Sequence, residues 1–446
     1  MAPSKTTVPI RKTIRKLFPT THIERLARET GTVVRQRKVK IADFFWTLVL
    51  GFGVGRKRTI AGLRRQYEKS SGQSIEESSF YDRFTPGLVK MLKQSVAHAL
   101  EQSLGVGRAL DGHLETFRDV IMTDSTVIRL HDLLEGVFPA CRTNHTKAAL
   151  KAHAVISVTG AGRQSIKITS ERRHDGPVFQ VGKWVAGRLL LFDLGYFRYQ
   201  LFDCITRNRG YFVSRLKSNS NPTVVALNRK HRGRAVPVIG RKLRDILEHL
   251  QREVLDVMVE VRFQHRRYAG KRSYGTQTLR VVGIRDEASG EYRLYITNVP
   301  TEKLAAKDIK ATYALRWQVE LLFKEWKQRY RLEDMPSRKV VVVEALLHAA
   351  ILTLVVSRQL LNAVRKRLQQ QAHRLKDARW GAVFEAVAAD LLRIVLRPPR
   401  EVRHLEQDIS RTILHEAPDP NASRPSLLQA VESGVHAYGR PAPRPA

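Results

Sequence analysis

Apolar residues follow two different spacings along this chain, and the change between them divides it into regions. From residue 21 to about 104, side chains such as Phe44, Phe45, Leu48 and Phe52 recur at helical spacing. After residue 115 the apolar residues form short runs separated by turn residues, a pattern typical of strands. Because these strands alternate with predicted helices, the sequence predicts a mixed α/β core between helical N- and C-terminal regions.

The α/β region has its own internal order. Its predicted strands are Val120–Met122, His153–Val158, Ser165–Thr169, Leu189–Phe192 and Tyr211–Leu216, and its predicted helices are Pro177–Ala186 and Arg198–Asn208. A β-rich segment of residues 220–290 interrupts the alternation, before a strand-like run at 291–298 and a series of helices from Ala305 to about Ile413. We interpret residues 220–290 as an insertion into the core.

Two short helices are predicted within the N-terminal region, at Thr59–Tyr67 and Glu76–Phe84, with Gly72 and Ser74 between them. The pair resembles a helix-turn-helix, although a small helical bundle gives the same pattern.

The longest apolar run, Ala345–Val356, is too short to span a bilayer and suits a buried helix. We therefore expect no membrane partner.

The chain is strongly basic, with 78 Lys and Arg residues against 42 Asp and Glu residues and a formal net charge of +36. Repulsion on this scale favours a polyanionic partner, and DNA phosphates release counterions when basic side chains neutralise them. A nucleic acid is therefore the predicted partner. An anionic membrane surface is the alternative partner for a basic protein, and no segment of the sequence supports it. The two cysteines lack zinc-ligand spacing and no signal peptide is visible, which fits a reducing cytoplasm.

Carboxylates follow two of the predicted core strands. Asp124 comes after the apolar run Val120–Met122, and Asp193 comes after Leu189–Phe192. Side chains at strand ends of an α/β sheet are well placed for a catalytic site, but many such aspartates only cap the next turn. The competing acidic residues are Asp132, Asp175, Asp203 and Glu325.

Some competing residues have a simpler explanation. Asp175 lies in a His-Asp-Gly-Pro turn, and Asp203 lies inside a predicted helix. The histidines that flank the core strands are interpreted as structural or phosphate-contacting residues rather than metal ligands, and they are His145, His153 and His174.

The segment YALRWQVELLFKEWK, residues 313–327, carries the strongest local pattern. At about 100° per residue, one face about 80° wide holds Tyr313, Arg316, Glu320, Lys324 and Lys327. The opposite face is apolar and holds Leu315, Val319, Leu322 and Trp326. A carboxylate among cations is what a metal-bound phosphate needs, although a solvated helix with an Arg316–Glu320 pair gives the same pattern.

Three carboxylates together suggest a metal site. Magnesium binds a few carboxylates and otherwise waters and phosphate oxygens. Two such ions can activate a water and stabilise a leaving oxygen, which is the chemistry of phosphodiester hydrolysis and strand transfer. This chemistry agrees with the basic charge of the chain.

Taken in order, these segments resemble the DDE transposases of the insertion-sequence-four group, which have an RNase H-like catalytic core. The resemblance is carried by VIMTDST around Asp124, by LLLFDLGYF around Asp193, and by the spacing Tyr-x2-Arg-x3-Glu-x6-Lys at Tyr313, Arg316, Glu320 and Lys327. It implies that Asp124, Asp193 and Glu320 bind two Mg²⁺ or Mn²⁺ ions. It also implies that Tyr313, Arg316 and Lys327 hold DNA phosphates, and Lys324 is added because it shares their face.

The resemblance further implies cut-and-paste transposition of an insertion sequence, with metal-dependent cleavage and strand transfer at inverted-repeat ends. The expected partners are double-stranded DNA, both element ends and target, and a second copy of the chain in a synaptic homodimer. The expected location is the bacterial cytoplasm, in association with the nucleoid. The alternatives are a catalytically silent DNA-binding protein derived from a transposase and an unrelated RNase H-like nuclease.

These interpretations give a predicted domain organisation. It comprises a flexible basic arm (1–20), a helical DNA-binding region (21–114), an RNase H-like core in two parts (115–219 and 291–360), the β-rich insertion (220–290), a helical C-terminal region (361–417) and a Pro-rich, disordered tail (418–446).

Overall fold

The structure is a computed structural model. It describes residues 7–33, 39–52, 59–103, 110–141, 146–159, 164–228, 238–247, 249–250, 252–265, 273–287, 289–328 and 335–420. The strands in these ranges are β1 (Asp119–Leu130), β2 (Ala148–Ser157), β3 (Ser165–Ser170), β4 (Arg188–Phe192), β5 (Tyr211–Arg215), β6 (Thr223–Leu227), β7 (Val254–Gln264), β8 (Tyr274–Arg285) and β9 (Tyr292–Thr297). His145 and most of the predicted tail lie outside the described residues.

The described α-helices lie mainly on either side of the strands in sequence. They are α1 (Ile10–Leu17), α2 (Thr20–Glu29), α3 (Ile41–Trp46), α4 (Ile60–Ser71), α5 (Glu77–Tyr81), α6 (Pro86–Ser103), α7 (Asp175–Val178), α8 (Tyr199–Arg207), α9 (Leu243–Leu247), α10 (Ala306–Ala314), α11 (Trp317–Gln328), α12 (Val340–Leu368), α13 (Asp377–Leu396) and α14 (Pro399–Glu416). A π-helical turn, Thr47–Phe52, continues α3.

The described strands form one nine-stranded sheet in the order β3-β2-β1-β4-β5-β9-β8-β7-β6. β1, β4 and β5 run parallel, whereas β2 is antiparallel to both of its neighbours. The central strands are continuous apolar runs because both of their faces are covered, and Val120, Ile121 and Leu190 have no exposed surface. The order β3-β2-β1-β4-β5 with β2 reversed is that of an RNase H-like core, as the resemblance implied.

The β-rich segment 220–290 is continuous with the core sheet. β8 pairs with β9, which itself pairs with β5, so β6, β7 and β8 extend the sheet of the core. A buried ion pair fixes this extension, since Arg280 donates to both carboxylate oxygens of Asp256 at 2.9 and 2.6 Å. Arg280 also donates to the carbonyls of Val299 and Leu304, in the segment that leads to α10. Arg280 of the insertion therefore fixes the segment that leads into α10.

The N- and C-terminal helices form one body. α12 packs against α6, α1 and the π-helical turn, and α13 packs against α14 and the same turn. A single hydrophobic core contains Phe45 and Leu92 from the N-terminal region and Leu352 and Leu391 from the C-terminal region. The predicted boundaries at residues 114 and 361 therefore separate segments that pack together.

Residues predicted as a helix-turn-helix contribute to this body. α4 begins after Thr59, whose side chain accepts a hydrogen bond from the Gly62 amide, and ends at Gly72, which has a φ of 76°. Tyr67 of α4 and Phe80 of α5 are completely buried. Both residues therefore belong to the hydrophobic core of the helical body.

The N-terminal residues differ from the predicted flexible arm. α1 occupies residues 10–17, because Ile10, Ile14 and Leu17 form an apolar stripe that is buried. The amide of Val8 donates to the Ser410 hydroxyl at 2.6 Å, which ties the start of the chain to α14.

Two further predictions about helices need correction. Pro177–Ala186 is not one helix: α7 ends at Val178, and a 3₁₀ turn follows at Lys183–Val185, because the backbone of Phe179 and Gly182 is extended. α12 is longer than the predicted apolar run, with 29 residues, and alone among the described helices it is long and apolar enough to cross a membrane. However, 83% of its most apolar window is buried inside the protein, as in a core helix.

Candidate active site

Asp124 and Asp193 lie side by side where the order of the sheet changes direction. Parallel pairing between β1 and β4 ends at Thr123 and Phe192, and the two aspartates are the next residue on each side. The prediction that Asp124 lies at a strand end was wrong. β1 continues to Leu130 in pairing with β2, so Asp124 lies inside the strand. Asp193 does follow β4 and precedes a 3₁₀ turn. A crevice at the carboxyl end of parallel strands, at such a switch point, is a common place for a site.

Arg316 joins Asp124 to Glu320. Its guanidinium donates to Asp124 Oδ2 at 2.8 Å and to Glu320 Oε1 at 2.5 Å. Only 13% of the Arg316 side chain and 15% of the Asp124 side chain are exposed, so this ion pair is largely shielded from water, whereas 32% of the Glu320 side chain is exposed. α11 packs against β1, which brings Glu320 to the aspartates. The structure thus brings the three predicted carboxylates to one place.

The segment 313–327 is not one helix. α10 ends at Ala314 and α11 begins at Trp317, and the amides of Leu315 and Arg316 bond to carbonyls three residues earlier. The tighter turn separates Tyr313 from α11, and Tyr313 is buried, with only 8% of its surface exposed. The predicted apolar face is otherwise confirmed, with Val319 and Trp326 buried.

Charges of one sign are crowded at this point. Burial raises the pKa of Asp124 to about 6, and the negative charges of Asp193 and Glu320 add to the effect, although Arg316 opposes it. Burial likewise raises the pKa of the Tyr313 phenol to about 12, with Asp193 contributing. Burial also raises the pKa of the Tyr196 phenol, beside Asp124 and Asp193. In each case burial is the largest cause of the shift, and nearby carboxylates contribute less.

The remaining predicted residues lie around this centre. The Arg316 guanidinium lies 5.7 Å from the centre of the Tyr313 ring, a cation–π distance. Lys324 is exposed and Lys327 half-buried, four and seven residues beyond Glu320 on α11. The structure thus places Arg316 and Tyr313 against the carboxylates and Lys324 and Lys327 further along the helix.

Sequence analysis missed a second polar group beside Asp124. Asp175 lies 3.5 Å from Lys151 Nζ and 3.2 Å from His153 Nδ1, and Ser125, which pairs across the sheet with His153, contributes to lowering the pKa of Asp175. Asp175 had been assigned to a local turn, and its contacts come from β1 and β2, far away in sequence. The alternation of β2, which points Lys151 and His153 to the same face, was the only local signal.

The site has the donor set of a hard cation, although the side chains are not gathered around one. Among the described residues, no three His, Cys, Asp or Glu side chains converge closely enough to hold a metal ion. The guanidinium of Arg316 lies between two of the three carboxylates instead. Oxygen ligands of this kind suit Mg²⁺ and Mn²⁺ once that guanidinium moves aside.

Comparisons with known proteins identify the family of this chain. The sequence profile of the family described as the transposase DDE domain matches residues 115–356, more than half of the chain. The chain is 21% identical over 384 residues to the transposase for insertion sequence element IS231F of Bacillus thuringiensis subsp. israelensis, and the match covers 78% of this chain and 79% of that protein. It is 21% identical over 375 residues to the transposase for IS1151 of Clostridium perfringens, with 78% and 79% covered.

Among solved structures, the chain is similar to a piggyBac transposase synaptic complex with hairpin DNA, with 11% sequence identity and a TM-score of 0.45. The match covers 96% of this chain and 88% of that chain.

Proposed function

Since this chain belongs to the transposase DDE domain family, we propose that Asp124, Asp193 and Glu320 form the active site of a cut-and-paste transposase. The chain is a DNA transposase, an enzyme of DNA cleavage and strand transfer, and its class depends on divalent metal ions. The observation that carries the assignment is the Arg316 bridge. Arg316 contacts Asp124 of β1, which lies 192 positions earlier in the sequence, and Glu320 of α11, which lies 4 positions later. Asp193 is close enough to affect the pKa of Asp124.

We propose that the three carboxylates bind two Mg²⁺ or Mn²⁺ ions when the Arg316 guanidinium no longer lies between Asp124 and Glu320. Their oxygens are the hard ligands that these ions prefer, and burial raises the pKa of Asp124, with smaller contributions from Asp193 and Glu320. When bound, the ions would activate the attacking water or 3′-hydroxyl and stabilise the leaving oxygen. We assign Asp124, Asp193 and Glu320 as their ligands.

Arg316, in the turn before α11, and the lysines of α11 would hold the DNA. Arg316 is anchored beside the carboxylates, so we assign it to the phosphate at the point of cleavage, with the ring of Tyr313 fixing the plane of its guanidinium. Lys324 and Lys327 lie one and two turns beyond Glu320, and we assign them to flanking phosphates of the element end. The helical region of residues 21–114 would contribute further DNA contacts.

We further propose membership of the insertion-sequence-four group, on the spacing Tyr-x2-Arg-x3-Glu-x6-Lys at residues 313–327. A homodimer in the synaptic complex follows from the need to bring one active site to each of two element ends. Action on chromosomal insertion sequences places the enzyme in the bacterial cytoplasm, at the nucleoid.

A plasmid assay tests the proposed function. The substrate is a supercoiled plasmid that carries the element between its own inverted-repeat ends. With Mg²⁺ or Mn²⁺ we expect excision of the element, and with EDTA or with Ca²⁺ alone we expect binding to the ends and no excision. A plasmid with scrambled ends is the control. Binding of the ends without cleavage under every divalent ion would instead favour the silent DNA-binding protein.

Arg316→Gln should weaken the metal-free protein and strengthen its response to metal. The substitution leaves Asp124 and Glu320 facing each other without a cation, so we expect a loss of about 1.5–3 kcal/mol in the free energy of unfolding. Because a metal ion no longer competes with the guanidinium, Mg²⁺ should raise the melting temperature of Arg316→Gln more than that of wild type.

Thermal unfolding without DNA, in EDTA and in Mg²⁺, measures both effects. Arg25→Gln is the control, because the Arg25–Glu29 pair is exposed and contributes little. An Arg316→Gln protein with an unchanged melting temperature in EDTA and an unchanged shift in Mg²⁺ would contradict the proposed role of the bridge.

A further inference from the structure

A fourth carboxylate, Asp175, lies behind the active site and is used by none of the steps above. It follows β3 at the start of α7, and only 17% of its side chain is exposed. Its Oδ1 lies 3.5 Å from Lys151 Nζ and 3.2 Å from His153 Nδ1. His153 is itself fixed, since it is buried and its Nε2 lies 2.9 Å from the Thr169 hydroxyl of β3. Two residues of β2 thus hold the Asp175 carboxylate in one orientation.

The same carboxylate contacts the segments that carry both catalytic aspartates. On one side, Ser125 lies opposite His153 in the β1–β2 pairing and contributes to lowering the pKa of Asp175, while the Ser125 amide donates to Asp124 Oδ1 at 2.8 Å. On the other side, Asp175 Oδ2 lies against Gly195, two residues after Asp193, so closely that an added Cβ would come within 3.0 Å of it. Ser125 therefore links Asp175 to Asp124, and Gly195 provides the space for Asp175 beside the Asp193 turn.

The charge state of Asp175 agrees with this placement. Burial opposes its ionised form, but the neighbouring side chains of His153 and Ser125 and the charge of Lys151 outweigh burial, so the pKa of Asp175 is lowered. An ionised carboxylate accepts hydrogen bonds only, which makes it a fixed acceptor for the Ser125 hydroxyl.

We propose that Asp175 is a positioning residue that orients Asp124 through Ser125 and fixes the Asp193 turn through its contact with Gly195. This inference rests on the proposed active site. Partners that hydrogen-bond to metal-ligand segments fix the direction of the ligands, and their removal commonly weakens metal binding or activity by about 10- to 100-fold. The simpler alternative is that Asp175 only caps the turn at the start of α7, in which case its loss would affect stability alone.

Asp175→Ala tests the proposal through metal binding. The measurement is the Mn²⁺ dissociation constant of the full chain by electron paramagnetic resonance of free Mn²⁺, with single-turnover cleavage of a labelled element end beside it. We expect Asp175→Ala to weaken Mn²⁺ binding and to slow cleavage by about 10- to 100-fold each. Affinity for the element end in Ca²⁺ should stay within about twofold, because no phosphate contact is assigned to Asp175.

The route through Ser125 is tested by a double-mutant cycle. If Asp175 acts on Asp124 through Ser125, Ser125→Ala lowers cleavage less than Asp175→Ala, and the double variant is no worse than Asp175→Ala alone. Asp203→Ala is the control, an aspartate of α8 that is paired with Arg207. Asp175→Asn keeps an acceptor for Ser125, and we expect it to recover part of the Mn²⁺ affinity, which also covers the case in which the alanine variant does not fold.

The outcomes separate this inference from the proposed function. Wild-type Mn²⁺ affinity in Asp175→Ala and Asp175→Asn, or multiplicative effects of the two alanine substitutions, would overturn the positioning role alone. A wild-type protein that binds no Mn²⁺, or that binds it equally well after Asp124→Asn, would overturn the active site itself and this inference with it.

Discussion

Glu320→Gln should abolish cleavage at the element ends while the DNA stays bound. The amide keeps the size of the side chain and can still accept a hydrogen bond from Arg316, so α11 should keep its place on β1. It loses the negative charge that a divalent ion requires of its ligand. Removing a group on which the chemical step depends typically costs about 10⁴-fold or more in rate, and we expect a loss of that order.

The measurement is single-turnover nicking of a labelled element end in Mg²⁺, with the dissociation constant for the same DNA measured in Ca²⁺. Binding should stay within about twofold, since the DNA contacts are assigned to cations rather than to Glu320. Glu302→Gln is the control, an exposed glutamate outside the site, and should cut like wild type. Nicking by Glu320→Gln within tenfold of wild type would show that another carboxylate holds this position, and Glu325 on the same helix would be the next residue to test.

Arg280→Ala should be the most destabilising single substitution that we predict. The guanidinium is 2% exposed and satisfies both oxygens of Asp256 as well as the carbonyls of Val299 and Leu304. Removing it leaves a buried carboxylate without a counter-charge and two carbonyls without a donor. Breaking one side of a buried ion pair typically costs about 3–5 kcal/mol of unfolding free energy.

Urea unfolding of wild type, Arg280→Ala, Asp256→Ala and the double variant measures this cost. We expect the double variant to be destabilised by clearly less than the sum of the single variants, because no unpaired charge remains. Arg293→Ala is the control, since Arg293 pairs with Asp286 at the surface and 58% of its side chain is exposed. Additive effects of the two single substitutions would show that the pair contributes to stability only through packing.

Removal of the Arg280 side chain should also affect the active site. Arg280 holds the segment Val299–Leu304, which leads into α10 and then into the turn that carries Arg316. A weaker anchor there loosens the position of α10 and α11 relative to β1. The segment 220–290, which the sequence indicated only as an insertion, is therefore part of the framework that positions Glu320.

Local pattern was sufficient for most elements of the core. The apolar runs at Val120–Met122 and Leu189–Phe192 predicted buried strands, and the helix at Arg198–Asn208 corresponds to α8. Local pattern failed where the backbone conformation ends a helix that side-chain periodicity alone would continue. Gly182 and the extended backbone of Phe179 divide the predicted helix after β3, and a tight turn between Ala314 and Trp317 divides the predicted helix of the signature.

The sequence by itself determined the basic charge and was enough to predict the three carboxylates and the cations at residues 316–327, because residue type and spacing state them directly. Only the tertiary structure decided which groups meet. Arg316 contacts Asp124 across 192 positions, and Asp175 contacts residues of β1 and β2 instead of serving only its own turn. Periodicity records the face on which a side chain lies, whereas its partner depends on strand register and on how helices pack on the sheet, which are set by contacts summed over the whole chain.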